Sequence, residues 1–159
     1  MGDPGGAIVV GVDGSAGAAA ALAFALAEGR ERRCIVQVVT AWLGSGHLEG
    51  TPDADELAGA RARVQQMQED VVARCLEEAE GVPELVRVVV HDYAGRVLVA
   101  RAGKASMLVV GSGSPSSASP QVLGSVAEYC VRHSPVPVVI IPAPARLERR
   151  AAATTARAG

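Results

Sequence analysis

Short apolar runs alternate with amphipathic stretches along the whole chain. Five runs of aliphatic residues have the length and composition of strands buried on both faces, and they occupy residues 7–10, 35–41, 85–90, 107–110 and 136–141. Apolar positions at helical spacing fill the intervals, over residues 18–27, 57–75, 96–102 and 125–133. This alternation predicts one doubly wound α/β domain, with a parallel sheet and right-handed crossovers.

Several polar residues predict where the helices begin and end. Ser15 is a natural N-cap for the first helix, and Gly29 with the charged residues 30–33 is expected to end it. Ser125 and Glu128 have the spacing of a capping box, which makes Ser125 the expected start of the last helix. The apolar side of that helix is expected to carry Val126, Ala127, Cys130 and Val131.

The composition excludes several classes of protein. With 159 residues, 49% of them hydrophobic, the chain has the size and apolar content of one packed domain. A net charge of -2 gives no general attraction to nucleic acid. No apolar run approaches the roughly 20 residues of a membrane span. The N-terminus also lacks the basic start and apolar block of a signal peptide, so we predict a cytoplasmic protein.

The composition also suggests the limits of the domain. We place the folded part at residues 7–142, after a flexible, glycine-rich lead at residues 1–6. Residues 143–159 are rich in Ala, Thr and Arg and are expected to be disordered. The three cysteines show neither zinc spacing nor a C-x-x-C motif, so we expect free, buried thiols.

Two turns that contain glycine and serine follow strands and lead into helices. One is GVDGS, from Gly11 to Ser15, and the other begins at Gly111 and reaches the next helix at Gly124. A helix N-terminus presents unpaired N–H groups, and ligands of open α/β sheets bind beyond the carboxyl ends of the strands, so the pattern suits a phosphate-sized anion. A plain strand-to-helix turn explains the same pattern. Asp13 is likewise either a hydrogen-bond acceptor for a base or sugar or an Asx-turn residue.

These turns resemble those of the universal stress protein family. The family signature is Gly, two residues, Gly, nine residues, then Gly and Ser or Thr, in a loop that cradles the phosphates of ATP. Gly111, Gly124 and Ser125 match this spacing, and Ser114 stands at the middle glycine. GVDGS and the ending VRHSPVPVVIIP also resemble the family, so the similarity covers nearly all of residues 7–142. It implies a three-layer, five-stranded parallel sheet of order 3-2-1-4-5, the adenine-nucleotide α-hydrolase-like fold.

The resemblance also implies a nucleotide site. Val12 and Asp13 would lie against the adenine and its sugar, and Ala41 would line the adenine pocket. The ribose and phosphates would be surrounded by Gly111, Ser114, Gly124, Ser125 and Val126. The implied ligand is ATP. Because the chain has no Lys or Arg between Lys104 and Arg132, the triphosphate would need Mg²⁺ or a distant cation.

The last apolar strand, from Val136 to Ile141, lies at a sheet edge in this strand order. An exposed apolar edge promotes aggregation unless it is paired, and the family pairs this strand with its copy in a second subunit, which implies a homodimer. The implied function is a dimeric, ATP-binding regulator of the stress response. The alternative is a nucleotide-free dimeric stress protein that acts through protein contacts, with the serine-rich loop as a candidate phosphorylation site.

An enzyme is the weakest interpretation. The spacing assembles no nucleophile, base and orienting group, so the pattern allows at most weak ATP hydrolysis or autophosphorylation. His91 and Asp92 follow the third strand, where they are either solvated turn residues or a catalytic pair.

Overall fold

A computed structural model describes residues 6–44, 52–113 and 122–144 of the chain. Strands and helices alternate in these residues, as the pattern of apolar runs predicts. The strands are β1 (Ile8–Gly11), β2 (Val36–Trp42), β3 (Leu85–His91), β4 (Met107–Gly111) and β5 (Val138–Ile141). The helices are α1 (Ala16–Arg32), α2 (Ala54–Glu77), α3 (Ala94–Ala102) and α4 (Ser125–His133).

The five strands form one sheet in the order β3-β2-β1-β4-β5, with every neighbouring pair parallel. This confirms the predicted fold class and strand order. The chain moves outward from β1 in one direction to β2 and β3, and in the other direction to β4 and β5. The order of the strands therefore reverses between β1 and β4.

Both faces of the sheet are covered, which gives three layers. One buried cluster joins alternate strand residues such as Val10 and Val38 to α1 and α2. The other joins the intervening residues, such as Val9 and Val39, to α3 and α4. Strands with two buried faces have no polar alternation, which explains why they appear as continuous aliphatic runs in the sequence.

The first helix ends within the charged residues 30–33, as predicted, but Gly29 does not end it. Helix α1 continues to Arg32, and Arg33 closes it in the left-handed conformation at φ 54°. A β-carbon at Gly29 would lie 2.4 Å from Val36 Cγ2, so this glycine lets the helix approach β2. The glycine therefore serves helix–sheet packing rather than termination.

Side-chain hydrogen bonds also shift two other boundaries. Asp53 and Glu56 form a capping box that begins α2, at 2.8 Å and 3.2 Å, before the apolar periodicity starts at Leu57. The last strand begins at Val138 rather than Val136, because the Ser134 hydroxyl bonds to the main chain of Val136 and holds that residue in a turn.

A buried glutamine fixes α2 to the sheet. Gln68 is 1% exposed, and its Nε2 donates to Val38 O at 3.2 Å, Thr40 Oγ1 at 2.9 Å and Val88 O at 3.0 Å. One side chain on α2 thus contacts both β2 and β3.

Candidate functional site

The strand order reverses between β1 and β4, and open α/β sheets bind ligands in a crevice outside the carboxyl ends of the strands at such a point. The turn from Gly11 to Ser15 leaves β1 there, and the turn of Gly111, Ser112 and Gly113 leaves β4 beside it. The N-terminus of α1 and the N-terminus of α4 both adjoin this second turn, as the contacts below show. Both predicted ligand turns therefore lie at the position where open α/β sheets bind ligands.

Asp13 and Ser15 organise the first turn. The exposed Asp13 accepts a hydrogen bond from Ser15 N through Oδ1 at 3.0 Å, and Ser15 Oγ accepts one from Ala18 N at 3.1 Å. Asp13 thus forms an Asx turn, and Ser15 is the N-cap of α1, as predicted. In the described part of the chain, Asp13 Oδ2 has no hydrogen-bond partner. One carboxylate oxygen shapes the turn, and the other is available to accept a further hydrogen bond.

Glycines bring three backbone segments into contact around the second turn. A β-carbon at Gly111 would lie 2.8 Å from the Gly17 carbonyl carbon, so β4 and the first turn of α1 touch through their main chains. A β-carbon at Gly124 would lie 2.8 Å from Gly113 Cα, and Gly113 has φ 115°, which favours glycine. Gly111 and Gly124 were predicted from the sequence. Gly17 and Gly113 were missed, because their importance depends on contacts across the fold.

The last helix begins at Ser125, as predicted, but its cap differs from the prediction. Gly124, not Ser125, is the N-cap, and no side chain caps this helix. The capping box is wrong, since Gly124 N donates to Ser112 O at 2.9 Å and Glu128 pairs instead with Arg132 at 2.8 Å. The N–H groups in the first turn of α4 therefore receive no side-chain acceptor and present their partial positive charge beside the glycine turn.

The other predicted ligand residues differ in their burial and in their position relative to the ends of the strands. Val12 is 3% exposed, its side chain lies in the core under α1 and α2, and its N–H donates to Val39 O, so only its remaining main chain can reach the crevice. Gly11 pairs with Val39 at the end of β1, and Ala41 lies two residues further along β2, where it pairs with Val90. Val126 is 37% exposed in the first turn of α4. Ser114 and the rest of the serine-rich loop lie outside the described residues.

His91 and Asp92 are held apart by separate contacts. His91 stacks on Trp42, with ring centroids 4.3 Å apart, and its Nε2 accepts a hydrogen bond from Gly44 N at 3.0 Å. Asp92 bonds to Tyr93 N and lies 4.0 Å from Arg96. Both side chains therefore have structural partners rather than each other, which does not support a catalytic pair.

The described residues lack the features of two other classes of site. In residues 6–44, 52–113 and 122–144, no three His, Cys, Asp or Glu side chains come together as a metal site. Over the same ranges, no helix combines the length and apolar character that crossing a membrane requires.

The strand order and the crevice define an α/β domain of the adenine-nucleotide α-hydrolase-like type. The sequence profile of the Universal stress protein family matches residues 6–142, so the chain belongs to that family. A universal stress protein of Mycobacterium tuberculosis is 31% identical over 137 residues, which are 84% of this chain and 44% of the relative. The chain thus spans less than half the length of this curated relative.

Solved structures show the same fold. A universal stress family protein from Burkholderia pseudomallei is 29% identical, with a TM-score of 0.63 over 90% of this chain and 100% of that one. The universal stress protein from Archaeoglobus fulgidus in complex with dAMP is 25% identical, with a TM-score of 0.53 over 87% of this chain and 98% of that one.

Proposed function

We propose that this chain binds an adenine nucleotide in the crevice between β1 and β4 and acts as a dimeric, cytoplasmic regulator of a stress response. The observation that carries the proposal is the uncapped N-terminus of α4, which adjoins the glycine turn after β4. Exposed N–H groups at a helix start favour an anion, and the glycines leave no β-carbon to block its approach. The Archaeoglobus fulgidus relative, which forms a complex with dAMP, supports the choice of an adenine nucleotide.

Each residue of the proposed site has a distinct role. Asp13 uses Oδ2 to accept a hydrogen bond from the base or sugar while Oδ1 holds the Asx turn. Ser125 supplies a hydroxyl, and the main chain in the first turn of α4, around Val126, supplies N–H groups for the phosphate. Ala41 offers a small apolar surface near the carboxyl end of β2.

The charge of the site affects how many phosphate groups a bound nucleotide can carry. The absence of Lys and Arg between Lys104 and Arg132 leaves neutral donors on this side of the crevice. ATP would add roughly four negative charges, so its binding is expected to require Mg²⁺. A monophosphate would require less compensation.

Calorimetric titration of the purified chain with dAMP, and with ATP in the presence and absence of Mg²⁺, tests the proposal. The informative variant is Asp13→Asn, since its amide oxygen still accepts from Ser15 N whereas its NH₂ group cannot accept from the nucleotide. We expect Asp13→Asn to weaken binding about tenfold or more, the effect of about 1.4 kcal/mol. The matched control Asp70→Asn, on the exposed face of α2, should bind as the wild type does.

The second candidate is a nucleotide-free dimer that acts through protein contacts. It is favoured by the glycine contacts themselves, because backbone packing already accounts for Gly111, Gly113 and Gly124 without a ligand. No heat of binding with any of the nucleotides, and no nucleotide released when the purified protein is denatured, would support this candidate and contradict the first.

A further inference from the structure

The last residues of β2 and β3 meet at the carboxyl end of the sheet. Trp42 and His91 are paired across the two strands, and their rings stack with centroids 4.3 Å apart and planes 28° apart. Beyond the end of β2, Gly44 N donates a hydrogen bond to His91 Nε2 at 3.0 Å. One side chain at the end of β3 therefore makes two contacts with the end of β2.

These contacts accompany a definite direction of the chain as it leaves β2. In the sheet, β2 lies between β1 and β3, so its end can turn toward either neighbour. Gly44 lies on the β3 side, since a β-carbon there would be 3.4 Å from His91 Nε2 and 3.6 Å from Leu57 Cδ2 of α2. The main chain from Trp42 to Gly44 thus turns away from β1 and from the proposed nucleotide crevice.

His91 and Ala41 lie on opposite faces of the sheet. Ala41 packs with the buried cluster under α3 and α4, as does Val90, its partner on β3. Successive side chains of a strand point to opposite faces, so Trp42 and His91 lie on the side of α2. His91 therefore does not line the same surface as Ala41. Its influence on that surface passes through the main chain of β2.

The two contacts of His91 can be removed one at a time. Because Gly44 N is a donor, Nε2 is the unprotonated nitrogen of the imidazole, and the neutral ring carries its proton on Nδ1. The amide oxygen of a glutamine is separated from Cα by as many bonds as Nε2 is, so glutamine keeps an acceptor but has no ring. Phenylalanine keeps a ring but has no acceptor.

We propose that His91 is a positioning residue for the base of the bound nucleotide, an inference that rests on the proposed function. By holding Gly44 N on the β3 side, His91 fixes the main chain at the end of β2, beside the proposed adenine surface of Ala41. It touches neither the base nor the phosphate. In the sheet, β1 separates β2 from β4 and from the phosphate-binding turn, so His91 affects the base and not the phosphate.

Calorimetric titration with dAMP and with 2-deoxyribose 5-phosphate, which lacks the base, tests this role. For His91→Phe we expect dAMP to bind about fivefold more weakly, which is equivalent to about 1 kcal/mol, the typical contribution of one hydrogen bond. The sugar phosphate should bind to this variant as it does to the wild type. His91→Gln restores the acceptor and should bind dAMP within about twofold of the wild type.

Fluorescence and a matched variant serve as controls. Trp42 is the only tryptophan of the chain, so its emission reports on the stack with His91. The emission should shift to longer wavelength in His91→Gln, which uncovers the indole, and not in His91→Phe. The matched variant is His133→Phe, because His133 also stacks on an aromatic ring but lies at the C-terminal end of α4. It should bind dAMP as the wild type does.

Three results would overturn this role and leave the proposed function in place. Equal affinities of the wild type and His91→Phe for dAMP would show that the hydrogen bond to Gly44 does not position the base. Weaker binding by His91→Gln than by His91→Phe would assign the effect to the ring stack. Equal losses for dAMP and the sugar phosphate would indicate a general change in the fold. A wild type that does not bind dAMP would instead contradict the proposed function, and the role of His91 with it.

Discussion

At the scale of single residues, the same glycines serve packing and leave room for a ligand. Gly111 and Gly124 stand out in the sequence because they match a phosphate-loop spacing. The structure gives them a further reason, since each touches the backbone of another glycine, Gly17 or Gly113. These partners could not be predicted, because the contacts join α1 to β4 and the β4 turn to α4. A loss of binding in a Gly111 or Gly124 variant must therefore be separated from a loss of folding.

Measurements of stability can separate a loss of folding from a loss of binding. Gly124→Ala would place a β-carbon 2.8 Å from Gly113 Cα, where both groups are backbone and neither can move easily. We expect the free energy of unfolding to fall by about 1–3 kcal/mol. The matched control is Gly59→Ala in α2, whose β-carbon would meet only Arg63 Nη1, at 3.6 Å. That variant should gain about 0.5–1 kcal/mol, because alanine is the better helix former.

Urea denaturation of both variants checks these expectations. If Gly124→Ala is as stable as the wild type, the contact between Gly113 and Gly124 is not the constraint that the geometry indicates. A ligand would then be the better explanation for the glycine at position 124.

At the scale of secondary-structure elements, the spacing of aliphatic residues predicts that strands and helices exist. It does not predict which contacts hold each helix in place on the sheet. The long face of α2 was clear from its apolar spacing, yet the capping box at Asp53 and the buried contacts of Gln68 were not. Helical spacing places Gln68 four residues after Val64 and three before Val71, within the apolar face of α2, and places Gln66 on the opposite face. The spacing thus predicts which glutamine is buried, but only the tertiary position of α2 over β2 and β3 decides which acceptors it meets.

These two glutamines provide a matched test. Gln68→Met keeps a similar volume but removes the donor shared by Val38 O, Thr40 Oγ1 and Val88 O. We expect a loss of about 1–3 kcal/mol in the free energy of unfolding, since the buried Thr40 hydroxyl loses its partner. Gln66→Met, at an exposed position bonded only to Asp70, should change stability by less than about 0.5 kcal/mol. Similar losses in both variants would show that Gln68 does not fix α2 to the sheet.

At the scale of the whole molecule, the sequence predicted the fold class, and the strand order came from the family resemblance. Buried parallel strands are continuous aliphatic runs, so they are easy to recognise in the sequence. Because the runs resemble one another, they do not show which place each strand takes in the sheet. The apolar side assigned to α4 was half correct: Ala127 and Cys130 are buried, whereas Val126 and Val131 are 37% and 53% exposed. The short helix cannot bury four apolar residues against one sheet edge.

Helix α4 contacts β5, which is an edge of the sheet. The alternation of hydrogen bonds along β5 shows which of its groups are free to pair. Pro137 O and Ile141 O accept from β4, so the N–H groups of Val138 and Ile140 point away from β4. On the opposite edge, Glu84 O accepts from β2, and by the same alternation Val89 N–H points outward. Within the described residues, the sheet therefore has two free edges, and the β5 edge is contacted by α4, whose surface exposes Val126 and Val131.

This difference predicts which edge of the sheet the proposed dimer would use. If β5 pairs with its copy, Ile140→Pro removes an N–H group that the interface uses and no bond within the sheet, so the dimer should dissociate. Val89→Pro removes an equivalent outward N–H group from β3 and is the matched control, which should remain dimeric. Size-exclusion chromatography with light scattering at micromolar concentration distinguishes the species. A wild-type monomer would contradict the proposed dimer. A dimer that survives Ile140→Pro but not Val89→Pro would move the interface to β3.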